Sequence, residues 1–190
     1  MSISLGWDRE QRVDRNRHIS NAISSALKSR NQEVLIFAAA SNLGGSKREL
    51  FPAKHSTIFA VRGASTKGKH KDWNPALPTR NEPVFGTLGV EVPIRNRGKL
   101  PPQYLSDSGT SFATAVMAGI AATIVGYMNV ENRKELWDNV RTFDGFRHLL
   151  EELSTEPETR KLFVTLEHHL TQADQVGLET ALSKAHIASQ

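Results

Sequence analysis

From Glu33 to Gly45 the chain reads Glu-Val-Leu-Ile-Phe-Ala-Ala-Ala-Ser-Asn-Leu-Gly-Gly. An apolar run without polar alternation, closed by small residues and a glycine pair, predicts a parallel strand buried on both faces with a loop at its C-terminal end. Such a strand needs helices above and below it, which places the chain in the α/β class. Asn42 then stands on the rim of the sheet, where open α/β sheets bind their ligands.

A second stretch answers the first. Asp107-Ser108-Gly109-Thr110-Ser111-Phe112-Ala113-Thr114-Ala115 reads as a loop carrying a small serine into a helix that stays apolar to Met128. Ser111 therefore sits at a helix N-terminus, where unsatisfied N–H groups and the positive end of the helix dipole point at whatever it touches. Either it caps a buried helix, or its hydroxyl is presented where a developing anion is welcome. Val116, Met117, Ile120, Ile124 and Met128 line one side of this helix, with Ala113, Ala118, Ala121 and Ala122 elsewhere around it. An all-round apolar helix belongs in a core, and Gly119 would admit a close neighbour.

The remaining segments fit the same architecture. Residues 8–30 are polar at first, then carry Ile19, Ala22, Ile23 and Leu27 at helical spacing, so residues 1–40 form a right-handed βαβ unit. A strand is expected over 57–61 and another over 84–88, separated by a long loop, 65–83, with Trp73 as its large anchor. Residues 90–93 lead into a second loop, 95–107. Beyond 129, Leu136, Trp137, Phe143, Phe146, Leu149, Leu150 and Leu153 suggest short amphipathic helices with Asp144-Gly145 at a junction. Thr155-Glu156-Pro157-Glu158 is expected to open a further helix, and 167–187 to be solvated or frayed.

Taken together, Ala39-Ala40-Ser41-Asn42 with its Gly44-Gly45 turn, Phe51-Pro52-Ala53-Lys54, Ile58-Phe59-Ala60-Val61 and Gly109-Thr110-Ser111-Phe112-Ala113-Thr114 resemble the second half of the subtilisin-like serine protease domain. The match in order and spacing covers about residues 1–128, leaving 129–190 as a helical C-terminal extension. The resemblance implies a three-layer, doubly wound, mostly parallel sheet, truncated at its N-terminus. It implies Ser111 as the nucleophile and Asn42 as the side-chain donor of the oxyanion hole. It also implies Ser4, Leu5 and Gly6 as the strand that pairs with an extended polypeptide substrate, with Ala39, Ala40 and Ser41 as the opposite wall.

The chemistry explains these residue types. A serine hydroxyl is a weak nucleophile that needs a base, and a tetrahedral intermediate needs donors fixed where its oxyanion forms. The family's triad runs Asp, His, Ser along the chain, yet none of the seven histidines (His18, His55, His70, His148, His168, His169, His186) sits in a His-Gly-Thr-type helix entry. No Asp-Thr-Gly or Asp-Ser-Gly follows a strand either, so the base and its carboxylate are expected from a missing N-terminal half. Thr114-Ala115, where many relatives have Ser-Pro, marks a subfamily resembling intracellular or fungal-type members.

Other features read as ordinary. Asp107 suits a turn or cap, and His55 a structural position before a strand. His168 and His169 are adjacent, hence about 100° apart on a helix, with no cluster to complete a metal site. No metal or cofactor is expected. A net charge of +4 and the short Lys67-Gly68-Lys69-His70-Lys71 loop are far below a nucleic-acid footprint. With no cysteine, 38% hydrophobic and 23% charged residues, and no signal-peptide pattern after Met1, the expectation is a cytoplasmic chain with no membrane partner. The reading is a subtilisin-like serine endopeptidase domain lacking the Asp and His of its triad. The alternatives are a non-catalytic remnant that holds extended peptides by β-augmentation and an anion-binding domain using the Asn42 turn and the Ser111 helix end.

Overall fold

A computed structural model of the chain describes residues 1–8, 13–30, 33–79, 81–96, 103–130, 138, 140–167 and 175–188. The backbone runs β1 (Ser2–Ile3), α1 (Val13–Ser29), β2 (Phe37–Ala39), β3 (Phe59–Ala64), β4 (Val84–Leu88), β5 (Val92–Asn96), β6 (Gln103–Asp107), α2 (Thr110–Val130), α3 (Phe143–Glu152), β7 (Ser154–Glu158), β8 (Lys161–Val164) and α4 (Gln175–Ala188). A six-stranded sheet has the order β1-β2-β3-β4-β8-β7, parallel except for β7 on its edge. The α/β fold with a mostly parallel sheet is as expected.

Alternation along the strands divides the core in two. Phe37, Phe59, Val61 and Phe85 point to the face covered by α2, where Ala113, Met117, Ala121, Ile124 and Met128 meet them. Ile36 and Ala38 point the other way and pack with Ile23 and Leu27 of α1, Phe51 and Ile58. This is why the 33–45 run shows no alternation: both faces are dry. Phe59 stacks among Phe37, Phe85, Phe143 and Phe146, joining the sheet to α3.

Several local expectations change. Helix α2 crosses β1 to β4, but Ala115, Gly119, Ala122, Thr123 and Gly126 face outward, so it is not buried all round. Gly119 has open space where a side chain would stand, rather than a close neighbour. Residues 92–96 and 103–107 form an antiparallel hairpin where a loop was expected, with Arg95 opposite Tyr104. Asp144 and Gly145 lie in the first turn of α3, not at a junction, because Thr142 caps that helix by accepting from Gly145 N–H at 3.2 Å.

The largest change falls at residues 154–164, which form a β-hairpin instead of a helix. Leu162, Phe163 and Val164 complete the parallel sheet beside β4, and burial of that strand outweighs the helix-opening look of Thr155 to Glu158. Pro157 is tolerated because β7 is an edge. Helix α4 is also packed rather than frayed, burying Leu178, Ala181, Leu182 and Ala185 in the α2-side core. Leu136, Trp137, His168 and His169 lie outside the described residues.

Candidate active site

The rim loop after β2 is shaped by its small residues. Ser41 Oγ accepts from Leu43 N–H at 3.1 Å, and Gly44 and Gly45 take φ of +63° and +57°, which side chains rarely adopt. Gly44 N–H donates to Trp73 O at 3.0 Å, tying the turn to the long loop, and a side chain on Gly44 would strike Asp72 O. The result is a turn that projects Asn42 outward while Ala39, Ala40 and Ser41 stay buried.

Asn42 reaches the N-terminus of α2. Its Oδ1 accepts from Thr110 N–H at 2.8 Å, satisfying a helix-end donor. With the oxygen so committed, the amide nitrogen lies on the Gly109 side, where an added Cβ would come within 3.0 Å of it. Thr110 and Thr114 are buried, and Thr114 Oγ donates to Thr110 O at 2.7 Å. Gly109 N–H donates to Gly89 O at 2.8 Å, and Gly89 N–H to Ala64 O at 3.0 Å, so the helix entry is laced to β3 through Gly89. Any Cβ on Gly89 would meet Ala113 Cβ at 2.9 Å.

Ser111, half-buried in the first turn, exchanges two hydrogen bonds with Ser4. Its Oγ donates to Ser4 O at 3.3 Å, and Ser4 Oγ donates to Ser111 O at 3.2 Å. The exposed Ser4-Leu5-Gly6 segment is fixed on its far side by reciprocal backbone bonds between Trp7 and Phe51, each 3.0 Å. Ser4 is thus brought to Ser111, and Asn42 to the adjacent Thr110, whereas Ala39 to Ser41 are buried. Asp107 accepts from its neighbour Ser108 N–H at 2.7 Å, and His55 bonds Thr57 at 3.0 Å. Neither residue is directed at Ser111 in these bonds.

His70 occupies a different place. It is buried against Gly86, and its Nε2 lies 3.2 Å from Leu162 O. Burial first, with Arg62 and Lys161 adding repulsion, pushes its pKa down to about 4.

Sequence reasoning missed Asn74, Gly89 and Arg62. Asn74 Oδ1 accepts from Gly63 N–H at 2.9 Å and its Nδ2 donates to Gly63 O at 2.7 Å, imitating a neighbouring strand where β2 has ended. Only the Trp73-Asn74-Pro75 cluster in a polar loop hinted at it. Arg62 was hidden by ending the strand at Val61; a charge in mid-strand was the available signal.

Residues 1–156 match the subtilase family, peptidase group S8. The chain belongs to that family, which is a family of serine peptidases. A curated relative, the subtilisin-like protease het-Q2 of Podospora anserina, is 23% identical over 159 residues, covering 82% of this chain and 40% of that protein. Among solved structures, a point mutant of the protease domain of PatA superposes with a TM-score of 0.68 at 21% identity, over 96% of this chain and 59% of that one. The PatG macrocyclase in complex with peptide gives 0.57 at 19% identity, over 83% and 46%. The chain therefore spans 40% to 59% of the length of these proteins.

Proposed function

We propose that this chain is the C-terminal half of a subtilisin-like serine endopeptidase domain, in which Ser111 is the nucleophile and Asn42 the side-chain oxyanion donor. The observation that carries the reading is the docking of Asn42 onto the α2 entry through Thr110, the residue before Ser111, which leaves its amide N–H group on the Gly109 side. In acyl transfer Ser111 Oγ attacks the scissile carbonyl and its proton passes to a base. The oxyanion then forms at the helix N-terminus, where the Ser111 N–H and the Asn42 amide meet it. An extended substrate lies along Ser4, Leu5 and Gly6, with the Ala39 to Ser41 floor opposite. The imidazole and its orienting carboxylate come from a separate polypeptide segment.

A second reading has its own observation. The Ser111 hydroxyl donates to Ser4 O rather than to a base, which favours a groove that holds an extended peptide by strand addition without cleaving it. Co-expression with the N-terminal half of a related subtilisin-type domain decides between them. Labelling of Ser111 by a fluorophosphonate probe in the complex, abolished by Ser111→Ala, supports the peptidase. A well-folded complex in which Ser111 stays unlabelled supports the binding module.

A further inference from the structure

Arg62 lies in the middle of β3 and is only 2% exposed. Val61 beside it belongs to the α2-side core, so Arg62 points to the opposite face, away from Ser111, under the 65–83 loop. Its Nη2 is 2.7 Å from Glu49 Oε1 and donates to Ala76 O at 3.4 Å. Its Nε–H is buried with no partner among the described residues. Native interiors rarely leave a charged donor so, and such a group calls for an acceptor.

A cavity of about 220 Å³ adjoins it, lined by Arg62, His70, Lys71, Asp72, Asn74 and Lys161 among others. Space of that order admits a small ion with its water. The charges around it are uneven in their commitments. Lys161 Nζ is held by Glu158 at 2.6 Å, and Arg62 by Glu49, whereas half-buried Lys71 has no ion pair among the described residues. Asp72 is the one acid among the lining residues, and it is exposed. Lys67 and Lys69 stay on the solvated outside of the loop.

We propose that this cavity is a binding site for a small oxyanion, a carboxylate or a phosphate, received by Arg62 Nε–H and the Lys71 ammonium. Charge-assisted donors of these two kinds are what such anions select. Because His70 stands in the same wall, a bound anion favours its protonated form and raises its pKa. The site is independent of Ser111 and of the peptidase reading.

The test follows the His70 ring resonances by NMR while the chain is titrated with sodium phosphate or, separately, sodium acetate, ionic strength being held constant with chloride. Saturable shifts with either anion, and a His70 that titrates at higher pH in its presence, are expected; the anion that binds identifies the geometry received. Lys71→Met should weaken the affinity about tenfold, the worth of one charge-assisted contact. Arg62→Met leaves half-buried Glu49 without its partner, so the paired Arg62→Met/Glu49→Gln change serves as the second variant, with the same loss expected. Shifts absent with both anions, reproduced by chloride alone, or unchanged in Lys71→Met overturn the proposal.

Discussion

Asn42 uses the two ends of its amide differently, and substitutions can separate them. Asn42→Asp keeps an acceptor for Thr110 N–H but removes the N–H donor, whereas Asn42→Ala removes both. In a reconstituted domain both should slow turnover by about 10² to 10³, a figure that comes from subtilisin itself and is carried over, not predicted. Only Asn42→Ala should also lose about 1 kcal/mol of stability, through the unsatisfied helix-end donor. Urea midpoints beside peptide turnover check this; equal destabilisation by both variants would show that the acceptor contributes nothing. His70 makes a prediction with a sign. Its pKa falls from an ordinary 6.5 to about 4 on folding, so between those values the unfolded chain takes up a proton that the folded one refuses. The His70 contribution is complete above pH 6.5 and is lost as pH drops towards about 4, by about 3 kcal/mol in all. Urea unfolding at pH 7 and pH 4.5 measures the drop, and His70→Gln should flatten it.

At the scale of elements, the C-terminal part is more than a covering. Leu182 of α4 is fully buried in the same core as Phe37 and Met117, and Lys184 of that helix reaches Glu152 of α3 at 3.0 Å. Leu182→Ala should therefore cost about 2 to 5 kcal/mol, as core truncations do. A urea-derived loss below about 1 kcal/mol would show that α4 rests loosely on the fold. Why α4 and the β7-β8 hairpin escaped the sequence while β2 and α2 did not is a matter of partners. Residues 33–45 and 113–128 announce themselves because long apolar runs admit few environments. Lys161-Leu162-Phe163 is too short to declare a strand, and its stability comes from pairing with Val84, Phe85 and Gly86, more than seventy residues back in the chain. The same holds at the site: Ser111 and Asn42 were legible as a loop-to-helix serine and a strand-end asparagine. The Ser4 contact, the Trp73 tie and the Asn74 mimicry depend on loops meeting in space, which local pattern does not encode.

For the whole molecule, the two edges of the sheet are unequal. On the β7 side Glu156 and Pro157 stand exposed, the kind of residues that discourage another strand from pairing. On the β1 side the neighbour among the described residues is β2 alone, and Met1 and Leu5 stand 63% and 59% exposed, with Leu43 at 63% on the adjoining rim. The outward face of α2 adds Ala115, Gly119, Ala122 and Gly126, small residues that let another element approach. An edge with unpaired backbone groups and apolar side chains is a template for further strands. The purified chain should accordingly self-associate with rising concentration, as seen by sedimentation velocity. Leu5→Lys, which places a charge on that rim without touching either core, should shift the distribution towards monomer. A wild-type chain that sediments as a single monomer at every concentration would mean that the β1 edge is protected, and the strand-addition surface offered to a partner half or to peptide would lose its physical basis.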